Sequence, residues 1–447
     1  MSAEWFFARL AEWGDAPALA TGEQSTSYAE LSRLCDVWTE RLAARQVGLG
    51  VAVAIDGSFS PQTCAAFLAA MRLGAVVVPL TPLLRVQREK FLEIAEVSLL
   101  LEVDEADAWT LTDLPQRMQN PLMLKLKERR HPGLVIFSSG STGAPKAILH
   151  DLTAILEKFR KTRQKKTTLT FLLFDHIGGI DTMLNTFGSG GCVVTVAQRT
   201  PELVARAIAR HAVHTLPTSP TFLNLFLMSG VVEQFDLSSL KVIAYGTEPM
   251  PESTLQRLHS AFPDVALVQT YGMSELGVLR SRSRDSESLW IKFTGEEFQI
   301  KVVDGILWVK AATAMLGYLN APDLFDADGW LNTQDAVEVD GEYLRILGRA
   351  SDLINVGGQK VYPAEVENVL LQLDNVEDVA VFGKPHPMMG NVVGARFKLK
   401  SPEPLDVFKR KMIAFCRVHL AKYQTPVYVE LADTEQFGAR FKKLRHV

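Results

Sequence analysis

Apolar residues follow two rhythms through the first eighty positions. Leu31, Leu34, Trp38 and Leu42 recur three and four apart, which sets them on one face of a helix. Ser27 stands just before that helix, where a hydroxyl can cap its free N–H groups. Val51 to Ile55 is an unbroken apolar run and reads as a strand. A helix follows through Met71, Gly74 makes a turn, and Ala75 to Leu80 is the next strand. Strands without a polar face, alternating with helices, predict a parallel sheet covered on both sides. The same signal returns in Leu134–Phe137, Phe171–Phe174, Cys192–Val196, Lys241–Ala244 and Ala266–Gln269, with a further helix from about Leu152. From about Leu289 the pattern shortens to alternating strands, Phe298–Val303, Ile306–Val309, Ala336–Val339 and Tyr343–Leu347. Gly305, Gly329 and Asp340-Gly341 supply the turns between them, so a β-rich subdomain is expected. The last hundred residues return to mixed α/β, with a helix from Ala364, a strand Val376–Val381 and a helix from about Leu405 to Leu420.

At 447 residues the chain exceeds one compact core, and two or three domains are expected. A net charge of −4 gives no electrostatic footprint for nucleic acid or anionic membranes. The basic run from Lys158 to Lys166 reads as a solvated helix end. Cys35, Cys64, Cys192 and Cys416 lie too far apart to suggest a zinc site or a disulfide framework. The N-terminus carries acids where a secretory leader needs bases. The apolar region from Cys64 to Leu80 is broken by Arg72 and Gly74 and falls short of a membrane span. A cytoplasmic protein is expected.

The strand ending at Phe137 runs into Ser138-Ser139-Gly140-Ser141-Thr142-Gly143-Ala144-Pro145-Lys146. Glycines let backbone N–H groups turn toward an anion, and hydroxyls and an ammonium add donors. That is polyphosphate chemistry, although the spacing is not that of a Walker loop. Two further loops follow strands: Gly246-Thr247-Glu248-Pro249, and Thr270-Tyr271-Gly272-Met273-Ser274-Glu275. Ligands in open α/β sheets bind beyond the carboxyl ends of strands, so one shared crevice is expected.

The ordered S-S-G-S-T-G-x-P-K stretch resembles the phosphate-binding signature of the adenylate-forming superfamily, which includes acyl-CoA synthetases, adenylation domains and firefly luciferase. Ala66–Leu80 resembles an opening core motif of the same superfamily, and the resemblance runs from about Ser27 to Arg445. It implies a large N-terminal AMP-binding domain, residues 1–349, with the β-rich part at about 289–347. A small mobile α+β C-terminal domain, residues 350–447, follows. Ser138 to Gly143 and Lys146 would hold the ATP phosphates. Tyr271-Gly272-Met273-Ser274-Glu275 resembles Y-G-x-T-E, with Tyr271 on the adenine and Glu275 holding Mg²⁺. Gly246-Thr247-Glu248 would border the adenine and the acid. Asp335 matches the ribose-binding aspartate of T-G-D, with Gln334 in place of glycine, and Arg349 would meet the ribose or α-phosphate. Ser351 or Asp352 falls at the hinge. Lys442 falls on the catalytic lysine, with Phe441 in place of glycine and Lys443 as an alternative.

Two alignments are open on the substrate side. His176-Ile177 resembles the F-H-I of aryl- and acyl-CoA ligases, whereas Phe174-Asp175 resembles the F-D of amino-acid-activating domains. The first is preferred, with Asp175, His176, Gly178, Gly246 and Met273 as the candidate substrate pocket. The resemblance implies an AMP-forming acid–thiol ligase that uses ATP, Mg²⁺ and the thiol of CoA. Alternatives are an adenylation enzyme loading a carrier-protein phosphopantetheine, and a degenerate binding subunit suggested by Gln334, Ser351 and Phe441.

Overall fold

The computed structural model describes residues 3–82, 87–139, 145–432, 436–438 and 440–444. Among these residues the strands form two large mainly parallel sheets, a six-stranded antiparallel sheet, a small hairpin sheet and a C-terminal sheet. The fold is mixed α/β, with a large N-terminal domain of parallel sheets and a C-terminal domain, as the alternating rhythm implies.

One large sheet is ordered Ala266–Gln269, Val242–Tyr245, Thr215–Thr218, Thr167–Leu169, Cys192–Thr195, Pro17–Thr21, Gln24–Ser27. The other contains Pro145–Asp151, Gly133–Ser139, Val76–Leu80, Ala52–Asp56 and Val97–Val103. Helices Tyr28–Ala44, Pro61–Arg72 and Ile177–Gly188 pack between the two sheets, and residues of all three share one apolar core with Leu19, Val193, Val53 and Val77. Helix Pro61–Arg72 is buried continuously from Thr63 to Met71, which is why it reads as apolar all round. Ser27 caps its helix as expected and forms a reciprocal capping box with Glu30.

Two readings are corrected. The strand expected at Phe171–Phe174 lies upstream, at Thr167–Leu169. The ladder ends after the Thr170 N–H bonds the Val194 carbonyl, and the Phe171 N–H then turns back to Leu169. Phe171 and Phe174 serve different cores, Phe171 against Phe222 and Phe174 between Phe59 and Phe67. They therefore do not alternate across one sheet. The serine–glycine loop also leads into a strand that the sequence reading did not expect. Gly133–Ser139 and Pro145–Asp151 pair antiparallel, with Ser138 opposite Lys146 and Ser139 opposite Pro145.

The antiparallel sheet runs from Ser281–Ser283 to Tyr343–Arg349, its strands turning back at Asp304-Gly305 and Gly341. The C-terminal domain has its own core, built on Val379, Val381, Phe397, Phe408 and Met412.

Candidate active site

Strands Val242–Tyr245 and Ala266–Gln269 are parallel neighbours with Tyr245 opposite Gln269, so the two motif loops leave the sheet side by side. They touch because Gly246 has no side chain: a Cβ there would stand 2.6 Å from Thr270 Oγ1 and 2.8 Å from its carbonyl. Thr247 holds a left-handed φ of 73°. These loops, Asp335, Gly348, Arg349, Tyr362 and Lys442 enclose a cavity of about 420 Å³. Gly272 and Asp352 also line it, and Ser351 is exposed beside it with its hydroxyl on Asp352 Oδ1 at 3.2 Å.

Asp335 is the buried centre of one wall. Antiparallel register sets it directly opposite Arg349, whose Nε lies 2.9 Å from Asp335 Oδ1. The Tyr271 hydroxyl donates to Asp335 Oδ2 at 2.6 Å. The Asp335 N–H bonds Thr333 Oγ1, and the Thr333 hydroxyl bonds the Leu307 carbonyl, fixing the turn. Burial raises the Asp335 pKa, against the pull of Arg349 and Tyr271. Gln334, which stands where the family motif has glycine, adopts φ 62°, and its N–H is held by Asn332 Oδ1 at 2.9 Å. The turn thus keeps a glycine-type backbone without glycine.

Glu275 accepts from the Tyr318 hydroxyl at 2.8 Å, and Lys146 Nζ lies 5.1 Å from the centre of the Tyr318 ring. Glu275 and Lys146 therefore meet on one aromatic side chain. The preceding residue, Ser274, is tied to strand Pro145–Asp151 by His150 Nε2, 2.6 Å from its carbonyl. His150 is fully buried, and burial lowers its pKa to about 4. Of the phosphate-loop residues, Ser138 is the last but one of strand Gly133–Ser139, and Lys146 is the second of strand Pro145–Asp151. The backbone of Ser139 is described, whereas Gly140, Ser141, Thr142 and Gly143 lie outside the described residues.

His176 caps helix Ile177–Gly188, its Nδ1 accepting from the Gly178 N–H at 3.0 Å. Burial, then the charges of Lys442 and Arg440, lower its pKa to about 3, so the ring is neutral. It lines a narrow crevice with Thr247, Arg199, Arg440 and Lys442. Gly178 lines a second cavity of about 330 Å³. Asp175 lines neither of these cavities. It is 2% exposed and accepts from the Thr81 hydroxyl at 3.1 Å and from Arg440 at 2.7 Å. Burial raises its pKa, against the pull of Arg440. Met273 packs against the core of the six-stranded sheet and also lines neither cavity.

The two terminal lysines have different surroundings. Lys443 Nζ lies 3.0 Å from Asp378 Oδ1 and donates to the Val379 carbonyl, both in the C-terminal domain. Its backbone N–H reaches Glu248 Oε2 at 3.3 Å, while Glu248 Oε1 accepts from the Thr221 N–H at 2.8 Å. Both lysines line the large cavity that Asp335 and Arg349 line, and Lys442 is the more exposed of the two. The protein atoms crowding the base of Lys442, followed by Arg349 and Arg440, lower its pKa, with Glu248 opposing. Sequence reasoning singled out neither Tyr318 nor Arg440. Their partners are 43 and 265 residues away, and no local spacing marks either contact.

Motif loops on two neighbouring parallel strands, closed over by a hairpin and a C-terminal lysine, define an α/β protein with a nucleotide-sized polar cleft. The chain belongs to the AMP-binding enzyme family. That family's model matches residues 6–319, and the model of the AMP-binding enzyme C-terminal domain matches residues 365–436. A ring-substituted propanoyl:CoA ligase of Rhodococcus jostii is 29% identical over 336 residues, 70% of this chain and 64% of that protein. The counterpart from Mycobacterium tuberculosis is 30% identical over 67% of this chain and 62% of its own length, so the match takes in less than two thirds of these relatives. A 2-succinylbenzoate–CoA ligase of Bacillus cytotoxicus is 27% identical, covering 99% of this chain and 97% of its own. The fold matches that of the anthranilate CoA ligase AuaEII in complex with anthranoyl-AMP, with TM-score 0.82, 20% identity and coverage of 99% and 97%. It also matches o-succinylbenzoate CoA synthetase from Bacillus subtilis, with TM-score 0.77, 24% identity and coverage of 99% and 96%.

Proposed function

We propose that this protein is an ATP-dependent, AMP-forming acid–thiol ligase. A carboxylate oxygen attacks the α-phosphorus of ATP, the bond to the β-phosphate oxygen breaks, and pyrophosphate leaves. The thiol sulfur of CoA then attacks the acyl carbonyl of the adenylate, and AMP departs with the electrons of the C–O bond. The observation that carries this reading is the shared cavity of Asp335, Tyr271, Arg349 and Lys442. The relatives named as CoA ligases support CoA as the acceptor.

The chain's own groups divide the work. Asp335 spends one lone pair of each oxygen on Tyr271 and Arg349, which leaves acceptor sites for ribose hydroxyls. Arg349 and Lys442 bring positive charge to the cavity where the pentavalent phosphorus would gain negative charge. Preorganised donors of this kind supply most of the acceleration in such displacements. The lowered pKa of Lys442 reflects how closely it is surrounded, and it retains Glu248 and Asp335 as attractive charges. The serine–glycine loop and Lys146 are assigned to the β- and γ-phosphates.

Glu275 suits Mg²⁺. Magnesium usually takes one or two carboxylates, with phosphate oxygens and water completing its shell, and no cluster of three or more His, Cys, Asp or Glu side chains occurs among the described residues. Glu275, oriented by Tyr318, would hold it. When bound, the ion would neutralise phosphate charge and favour the departure of pyrophosphate. The N-terminal catalytic body is assigned to residues 1–349 and the mobile domain to 350–447, with Ser351 and Asp352 at the hinge. The four cysteines are unpaired and buried, as suits a reducing compartment, and we assign the protein to the cytoplasm. No described helix is long and apolar enough to cross a membrane. Pyrophosphate release measured over aryl, fatty, amino and dicarboxylic acids tests the reading. Acid-dependent release with AMP as co-product is expected; acid-independent release would refute it.

A further inference from the structure

The cavity of about 330 Å³ adjoins the nucleotide cavity, and Thr270 lines both. One wall is helix Ile177–Gly188. Its Ile180, Met183, Leu184 and Phe187 are buried in the core between the two sheets, while Asp181, Thr182 and Asn185 face the cavity. A pocket for an alkyl chain would put apolar side chains on that face, because an apolar ligand leaves polar groups desolvated and unpaired. Thr215 adds a hydroxyl from the opposite wall.

Charge sharpens the point. Lys158 is paired with Asp181, and Arg280 Nε lies 3.0 Å from Glu297. Both acids near the cavity are thereby matched by a cation. Arg163 and Lys166 also line the cavity; Arg163 feels the charges of Asp181 and Glu297, but neither side chain makes a close hydrogen bond or ion pair among the described residues. Two cations remain over beside a helix wall of hydroxyl, amide and carboxylate groups, while Leu172, Pro217, Val242, Ala244 and Val278 give the rest of the cavity an apolar lining that suits the body of the acid.

We infer that this pocket takes a carboxylic acid bearing a second anionic group: one carboxylate is activated beside Thr270, and the distal carboxylate meets Arg163 and Lys166. The inference rests on the ligase reading and adds the substrate class. A distal carboxylate exchanges water for charge-assisted hydrogen bonds, whereas an ester or methyl group in its place leaves both cations solvated only by the pocket. Sites built to bond a substrate's polar group discriminate strongly against analogues that lack it.

The test is pyrophosphate release with a series of dicarboxylic acids, their monoesters and monocarboxylic acids of matched length. The wild-type kcat/KM should favour the diacid over its monoester by roughly ten- to a hundredfold, the scale of one charge-assisted hydrogen bond. That ratio should fall toward one in the double variant R163Q/K166Q and persist in the charge-conserving R163K/K166R, which also controls for misfolding. Wild-type preference for the monoester or for alkanoic acids would overturn the inference and leave the ligase reading standing. An unchanged ratio in R163Q/K166Q would do the same, as would an effect confined to the KM for CoA. If no acid in the series or among aryl, fatty and amino acids supports AMP-forming turnover, the ligase reading fails and the inference fails with it.

Discussion

Arg440 donates to Asp175 Oδ2 at 2.7 Å, joining the C-terminal segment to the loop that precedes helix Ile177–Gly188. Asp175 is almost fully buried, and Arg440 is one-third exposed on its side chain. Next to Arg440, the Phe441 ring sits 5.3 Å from Phe171, 5.4 Å from Phe222 and 5.2 Å from Phe437. On the other side, Lys443 is bonded to Asp378 and Val379. Lys442 is therefore held between anchored neighbours. Asp175 is thereby placed to position Lys442 through the tail, and that is the role we propose for it.

Asp175→Asn should thus slow adenylation more than thioester formation. Small misplacements of a catalytic group cost up to about 10²-fold. We expect acid-dependent pyrophosphate release to fall by about tenfold or more, while thioester formation from supplied acyl-adenylate persists. Arg440→Gln should reproduce the split, and Arg440→Lys should soften it. A loss selective for amino-bearing acids would instead make Asp175 a substrate ligand.

Glu275 and Tyr318 should behave as a coupled pair in Mg²⁺–ATP binding. Tyr318→Phe removes one hydrogen bond to a carboxylate, of the order of 1.5–3 kcal/mol. Calorimetric titration should show Mg²⁺–ATP affinity weakened by roughly tenfold or more, and Glu275→Ala should weaken it further. Equal affinities in wild type and Tyr318→Phe would remove the orienting role of Tyr318.

His150 gives stability a pH dependence whose sign is fixed. Its pKa is about 4 in the folded chain against an ordinary value near 6.5. Between those values the unfolded chain binds the proton and the folded chain does not. The contribution is therefore full above about pH 6.5 and is lost as pH falls toward 4, by about 3 kcal/mol. Thermal unfolding should show Tm falling over that window, with a shallower fall in His150→Asn. The variant should be less stable at pH 7, having lost the bond to Ser274.

Gln334 pays a conformational penalty that glycine would not. A left-handed backbone costs a residue with a Cβ roughly 1–2 kcal/mol. Gln334→Gly should therefore raise Tm or leave it unchanged, with adenylation retained, whereas Gln334→Val should lower both. A clear loss of stability in Gln334→Gly would mean that the glutamine side chain contributes more than the strain removes.

Much of this architecture could be read from the chain because its local signals agree. The capping box at Ser27, the apolar run through Met71 and the strand at Ala266–Gln269 each combine pattern and propensity in one direction. The failures have local causes too. The run Phe171–Phe174 is as apolar as a strand, but its two phenylalanines are claimed by different cores. Pro145–Asp151 begins with proline and lysine, which obscured a strand whose centre, Ala147–Leu149, is buried. Motif spacing put Asp335, Arg349 and Lys442 together, and they line one cavity. It could not reveal Tyr318 against Glu275 or Arg440 against Asp175, since such contacts arise only when distant strands and the tail are packed. The departures Gln334 and Phe441 looked like damage in the sequence. Both keep a positive φ, 62° and 53°, so the backbone that glycine serves elsewhere is retained.

The central claim is tested most directly by resolving the products of one incubation of ATP, Mg²⁺, an accepted acid and CoA, for the wild type and for Lys442→Ala and Lys443→Ala. AMP, pyrophosphate and thioester should appear in equal amounts and only with acid present. Lys442→Ala should lower the adenylation rate by about 10²–10³-fold, the scale of losing one transition-state donor, and Lys443→Ala should lower it far less. ADP and phosphate as products, or ATP turnover indifferent to the acid, would contradict the account.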